Sequence, residues 1–127
     1  MPHIRLEYSS NLEAIVDMAA LVEKIRLDAC RLDALPMPGL RVRAVAVVHY
    51  AIADGDAKHG FIDMVVRLRE GRTDDVKKDA IMRLFDTLKD FMAPALARHP
   101  IALSAEIRDI QAEFAPKYGT IRDHLET

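Results

Sequence analysis

The residues in this sequence with the clearest capacity for chemistry are Pro2, Arg41, Arg43 and Arg72. When the methionine before Pro2 is trimmed, the proline presents a secondary amine at the amino terminus. Burial and nearby cations lower the pKa of such an amine towards neutrality. A base with a pKa near the working pH can carry a proton from one atom of a substrate to another. By itself, however, a Met-Pro start is more often accidental than catalytic.

The three arginines suggest an anion site. Arg41 and Arg43 stand two apart in a predicted strand and therefore share one face of a sheet. Their planar, forked donors could grip a carboxylate. Arg72 follows Gly71 at the end of another predicted strand, where a side chain can reach into a pocket. Each arginine is also typical of a solvent-exposed strand or turn, so only the group as a whole indicates binding.

The sequence lacks the residue patterns of metal sites, phosphate-binding loops and disulfides. The five histidines show no ligand-type spacing, and the five glycines are too scattered to form a phosphate-binding loop. Cys30 is the single cysteine, which excludes an internal disulfide and fits a reducing cytoplasm. We therefore expect neither a metal nor a cofactor.

Length and composition predict one small globular domain over residues 1–127. Half of the residues are hydrophobic, 30% are charged, and the formal net charge is −2. No apolar run approaches the ~18–20 residues needed to span a bilayer, and no general positive charge attracts nucleic acid. Neither a membrane nor a nucleic acid is therefore an expected partner.

Hydrophobic periodicity predicts the strands and helices that position these candidate site residues. Alternation and valine density predict strands at 4–8, 40–49, 61–68 and 101–107. One helix is expected after the turn and cap Ser9-Ser10-Asn11, with its stripe at Ile15, Met18, Val22, Ile25, Ala29 and Leu32. A second helix is expected after the cap Thr73, with its stripe at Ile81, Leu84, Leu88, Phe91 and Ala95.

The order strand–helix–strand therefore occurs twice, as pseudo-repeats at about 1–55 and 56–112 before a tail at 113–127. A long crossover makes the two strands of each repeat parallel. Both helices then cover one face of a single sheet, which is an α+β fold. The other face mixes Arg5, Glu7, Asp63 and Arg67 with apolar residues. We expect it to be a subunit interface rather than plain solvated sheet.

Specific segments match a known family nearly end to end. They are Met1-Pro2-His3, Glu7, Ser9, Gly39-Leu40-Arg41-Val42-Arg43, Ala53-Asp54-Gly55, Phe61, Met64, Gly71-Arg72 and Ala102-Leu103-Ser104-Ala105-Glu106-Ile107. On these segments the chain resembles the 5-carboxymethyl-2-hydroxymuconate isomerases of the tautomerase superfamily. Its second half is also similar to the shorter 4-oxalocrotonate tautomerase, through Glu70-Gly71-Arg72-Thr73-Asp74 and the following helix.

The resemblance implies a tautomerase-like homotrimer with active sites near subunit boundaries. It also implies a cofactor-free isomerisation of a small anionic dienol during homoprotocatechuate degradation. Pro2 and Arg72 carry over as catalytic residues and Arg41 as a substrate-binding residue, while Arg43 is a weaker binding candidate. The first half lacks an arginine in the turn Ser9-Ser10-Asn11 after its first strand, and the second half has no proline at the start of its first strand, where Gly60 and Phe61 stand. We therefore expect one working site per chain.

Two alternatives stay open. Ala44-Val45-Ala46 replaces the histidine and aromatic residue that family members carry after the second arginine, so the substrate could be another 2-hydroxydienoate or enol acid. The scaffold could also serve a non-catalytic trimer that binds a small ligand, in which case Met1 could remain.

Overall fold

The computed structural model describes residues 1–126 and contains four strands and two long helices. In chain order these elements are β1 (His3–Ser9), α1 (Met18–Ala29), β2 (Arg41–Val47), β3 (Gly60–Arg69), α2 (Asp74–Leu96) and β4 (Ile101–Ile110). Short 3-10 helices lie at Ser10–Ala14, Met37–Gly39, Ala112–Phe114 and Ile121–His124. The predicted α+β class, with strand–helix–strand occurring twice, is confirmed.

The sheet has the strand order β2-β1-β3-β4. Within each half the strands are parallel, as the long helical crossovers require, so β1 pairs with β2 and β3 with β4. The two halves meet through β1 and β3, which are antiparallel. One mixed sheet therefore joins both halves.

The core lies between one sheet face and the two helices. Alternate residues of β1 and β3 are buried, as expected for strands with one face on the core: Ile4, Leu6, Ile62, Met64, Val66 and Leu68. The β4 residues Ile101, Leu103 and Ile107 are partly buried against this core. From the helices, Leu21 and Ile25 of α1 and Leu84 and Leu88 of α2 complete it.

The start of α1 was predicted wrongly. Residues Ser10–Ala14 form a 3-10 turn that buries Leu12, while Ile15 is 42% exposed. The helix begins at Met18, because the carboxylate of Asp17 accepts the 3.0 Å hydrogen bond from the Ala20 amide that satisfies the helix amino terminus. It ends at Ala29, and Cys30 is its carboxyl-terminal cap. In contrast, the predicted cap of α2 is confirmed, since Thr73 Oγ1 accepts from the Val76 amide at 3.3 Å.

Strand directions bring the candidate residues to one end of the sheet. Because β1 and β2 are parallel, Pro2 and Arg41 lie at neighbouring strand starts. Because β1 and β3 are antiparallel, the carboxyl end of β3 lies beside the start of β1. Arg69 is the last residue of β3, and Arg72 follows it. The site is thus assembled from both halves of the chain.

Candidate active site

A cleft of about 490 Å³ lies at the amino end of β1. Pro2, Arg41 and Arg72, three of the four predicted site residues, line it. Arg69, Lys117 and Arg122 contribute three further cations. No Asp or Glu among residues 1–126 lines this cleft, so its charged groups all have one sign.

Pro2 is held firmly in this cleft. Its side chain is buried, and its carbonyl accepts a 3.1 Å hydrogen bond from the Arg41 amide. Gly39 packs beside it, and a Cβ at that position would lie 3.6 Å from Pro2 Cδ. The start of β1 is therefore fixed against the start of β2.

The arginines reach the cleft from different elements. Arg41 Nη1 donates to Met1 Sδ at 2.8 Å and lies 3.4 Å from His3 Nε2. Arg72 Nη1 donates to the Arg69 carbonyl at 3.0 Å, which orients the guanidinium across the end of β3. The preceding residue, Gly71, has a φ of 113°, a conformation that a residue with a side chain rarely adopts. This glycine allows the chain to turn so that Arg72 faces the cleft.

The fourth predicted residue, Arg43, does not line the cleft. It shares the open sheet face with Arg41, as its spacing predicts, but lies further along β2 and is exposed. Its Nη1 atom lies 3.2 Å from His3 Nδ1, so His3 stands between the two arginines. The neighbouring segment Ala44-Val45-Ala46 also lies outside the cleft lining.

Sequence reasoning missed the cations contributed by the tail. The 3-10 helix Ile121–His124 packs against Met37–Gly39, and this contact brings Lys117 and Arg122 to the cleft. The tail shows no hydrophobic periodicity, so the sole available signal was its basic residues. Arg69 was missed as well, although its position just before Gly71-Arg72 places it at the same strand end.

The cleft cations pair with no Asp or Glu side chain within the described residues 1–126. Among residues 1–126, nine of the 18 Lys and Arg side chains lie within 4.0 Å of a carboxylate. None of those nine lines the cleft. The protein as a whole carries a formal net charge of −2, so the positive electrostatic field of the cleft comes from the cations that line it.

Burial and the positive charges of the cleft both lower the pKa of the amino terminus. Burial lowers the pKa of the Met1 amino group, and the charges of Lys117, Arg72, Arg69 and Arg41 lower it further, in that order. The pKa of His3 is also lowered, by burial first and then by Arg67, Arg43 and Arg41. Both groups are thereby favoured in their neutral forms.

At the other end of the sheet, a cleft of about 410 Å³ follows β2, and no Lys or Arg among residues 1–126 lines it. There the turn after β1 lies against the start of β3, and Leu12 is 1% exposed. A Cβ on Gly60 would come within 2.7 Å of Leu12 Cδ2, so this leucine fills the space. Nor do three or more His, Cys, Asp or Glu side chains converge as metal ligands anywhere in residues 1–126.

Comparison with known proteins identifies the family. The model of the 5-carboxymethyl-2-hydroxymuconate isomerase family matches residues 2–125, almost the whole chain. The chain belongs to this family. It is therefore an isomerase, and the resemblance inferred from its motifs is confirmed.

Individual relatives agree with this assignment. A 5-carboxymethyl-2-hydroxymuconate Delta-isomerase from Escherichia coli is 27% identical over 87% of both chains. The crystal structure of a 5-carboxymethyl-2-hydroxymuconate isomerase from Deinococcus radiodurans R1 is 30% identical, with a TM-score of 0.89 over 99% of this isomerase and 95% of that chain. A symmetric trimer of wild-type fused 4-OT is 15% identical, with a TM-score of 0.63 over 87% of this isomerase and 88% of that chain, and shows a shared fold alone.

No helix within residues 1–126 is both long enough and apolar enough to cross a bilayer.

Proposed function

We propose that this isomerase ketonises 5-carboxymethyl-2-hydroxymuconate, with the nitrogen of Pro2 as the base that moves the proton. The observation that carries the proposal is the buried Pro2 in a cleft with five cations that pair with no carboxylate among residues 1–126: Arg41, Arg69, Arg72, Lys117 and Arg122. The family relatives named above carry this substrate in their own names. The proposed setting is cytoplasmic degradation of homoprotocatechuate, in keeping with a single cysteine.

The mechanism requires that Met1 be removed. As long as Met1 is present, the Pro2 nitrogen is part of an amide and cannot accept a proton. Removal exposes the nitrogen to the cations that already lower the pKa of the Met1 amino group. It also releases Arg41 Nη1 from Met1 Sδ and makes that donor available to a substrate.

The cationic surroundings favour the working form of the base. An amine accepts a proton only in its neutral form, which predominates above its pKa. Lowering that pKa therefore raises the neutral fraction at pH 7. The same cations attract the carboxylates of the dienol, so substrate binding and base activation depend on one set of side chains.

The proton moves from oxygen to carbon within the substrate. The C2 hydroxyl gives up its proton, the C2–O bond becomes a carbonyl, and the remaining double bond moves to C3–C4. Pro2 delivers a proton to C5, so the atoms balance and no co-reactant is needed. Arg41 and Arg72 bind a carboxylate and stabilise the charge that builds on the C2 oxygen. A preorganised donor of this kind contributes ~3–4 kcal/mol to the transition state.

We further propose that residues 1–127 act as one domain, because both pseudo-repeats share one sheet and core, and that this domain assembles as a homotrimer. Large apolar side chains are exposed in the tail, where Phe114 is 73% and Tyr118 is 94% exposed. Val45 and Val48 are exposed at the β2 edge. Tyr118 borders the cleft, so a subunit covering it would place the active site near a boundary. Sedimentation of a single monomeric species at micromolar concentration would contradict this assembly.

Turnover by the purified protein tests the function. The conjugated dienol absorbs in the ultraviolet, and its ketonisation is followed as loss of that absorbance. We expect turnover by protein whose intact mass shows that Met1 is absent. An otherwise identical preparation that retains Met1 is expected to be inactive. Equal turnover by both preparations would exclude Pro2 as the base.

A further inference from the structure

A second cleft, of about 310 Å³, adjoins the first. Its charged residues are Arg67, Arg69 and Lys117, and no Asp or Glu among residues 1–126 lines it. Ile110, Ala115 and Pro116 give it an apolar wall. Cations beside an apolar wall suit a carboxylate attached to a hydrocarbon chain.

The two clefts share part of their lining. Met1, Arg69 and Lys117 line both, so Met1 stands between the Pro2 cleft and the second cleft. If Met1 is removed, the two clefts become one trough with the Pro2 nitrogen at the junction. Arg41 and Arg72 then lie on one side of this nitrogen and Arg67 on the other.

We propose that the second cleft binds a carboxylate at the C5 end of the substrate, away from the C2 hydroxyl group. Its anion-binding residues are Arg67 and Lys117. This inference deepens the proposed function and rests on it. The ligand class is an elongated enol acid with carboxylates at both ends, and Arg67 selects it over acids that carry one carboxylate.

Sheet register supports the required span. His3 pairs with Arg41 on one side and with Arg67 on the other, so two strand spacings separate the backbones of the two arginines. That separation is about 9–10 Å. An extended six-carbon diacid, with a hydrogen bond of about 2.9 Å at each end, spans roughly 13–14 Å between its two donors. The long side chains of the two arginines, which extend away from these backbones, cover the difference.

The exposure of Arg67 and its lack of an ion pair within residues 1–126 also fit this role. Arg67 is exposed and forms no ion pair within residues 1–126, whereas its cross-strand neighbour Arg108 is paired with Glu106. The guanidinium of Arg67 therefore has no carboxylate partner among residues 1–126 of its own subunit. Arg108 lines neither cleft and provides a matched control.

Binding of two unreactive acids tests the proposal without turnover. Muconate and sorbate share a six-carbon diene, but muconate has two carboxylates and sorbate has one. Calorimetry on the protein without Met1 is expected to show at least tenfold tighter binding of muconate. Arg67→Gln should reduce this preference about tenfold, as expected for a lost charge-assisted contact, and Arg108→Gln should preserve it. Lys117→Gln, in the exposed tail, should also reduce the preference and guards against misfolding of the Arg67 variant.

The outcomes separate this subsite from the catalytic proposal. Equal affinity for both acids in the unmodified protein, no binding of either acid, or an unchanged preference in both cleft variants would overturn the subsite. Failure of the enzyme to ketonise the dienol would contradict the proposed function. That failure would leave the binding comparison informative, because neither acid has a hydroxyl group to react.

Discussion

The main-chain amide of Arg41 donates a 3.1 Å hydrogen bond to the carbonyl of Pro2. A proline has no amide hydrogen, so this carbonyl is the one main-chain group through which Pro2 can join the sheet. The bond ties the residue carrying the proposed base to the residue carrying one of the arginines. The base therefore keeps a defined position beside the cationic cleft.

Replacing the base should reduce catalysis without unfolding the protein. Pro2→Ala substitutes a primary amine with a freer backbone for the fixed secondary amine. We expect kcat/KM for the dienol to fall about 10²-fold, since a positioned general base contributes about 10²–10⁴-fold. The ultraviolet assay measures the loss, and an unchanged melting temperature serves as the control. Undiminished kcat/KM would contradict the role of Pro2.

Loss of Arg72 should act mainly on the chemical step. Arg72→Ala removes a donor near the C2 oxygen, so kcat is expected to fall about 10²–10³-fold with a smaller change in KM. Arg98→Ala is a suitable control, because Arg98 forms no ion pair within residues 1–126 and lies outside the cleft. A rise in KM with kcat unchanged would show that Arg72 binds substrate but does not assist its conversion.

The pH profile should respond to Lys117, which lines the Pro2 cleft and has the largest charge effect, after burial, on the pKa of the Met1 amino group. In protein without Met1, we expect Lys117→Gln to raise the pKa of the Pro2 nitrogen, because the substitution removes a nearby cation. Because the neutral amine is the active form, the acidic limb of kcat/KM must move to higher pH. Lys89→Gln is the control, since Lys89 pairs with Asp86 on the exposed side of α2. A limb that stays in place or moves to lower pH would refute this account of the electrostatics.

The tight packing of Leu12 against Gly60 predicts that a side chain at position 60 destabilises the protein. Gly60→Ala places a Cβ 2.7 Å from Leu12 Cδ2 and 3.2 Å from Ser9 Oγ, so buried groups must shift. We expect the free energy of unfolding to fall by about 1–3 kcal/mol in denaturant titration. Gly119→Ala meets nothing within 4 Å and should change it by less than ~0.5 kcal/mol. Equal effects of the two substitutions would mean that Leu12 does not fill this space tightly.

Much of the fold follows from local patterns in the sequence. Period-two alternation predicts β1 and β3, because one face of each strand is buried and the other is not. The start of α1 does not follow, since both Ser9-Ser10-Asn11 and Asp17 contain residues that can cap a helix. The deciding factor is tertiary: burial of Leu12 requires a tight turn before the helix.

The site was predictable where it depends on strand ends. Pro2, Arg41 and Arg72 occupy starts and ends of strands whose order brings them together. Arg43 has the right parity but the wrong position along β2, and parity alone does not reveal how far a cleft extends. Lys117 and Arg122 depend on the packing of the tail against Met37–Gly39, for which the sequence has no periodic signal.

Titration of the Pro2 nitrogen tests the central claim most directly. Protein lacking Met1 and labelled with ¹⁵N-proline is followed by NMR from acidic to alkaline pH, and the Pro2 resonance reports its protonation. We predict a pKa below the ~7.7–8.0 of an ordinary α-amino group, with a neutral fraction present at pH 7. A nitrogen that remains fully protonated at pH 7 and loses its proton only in strongly alkaline solution would contradict the claim.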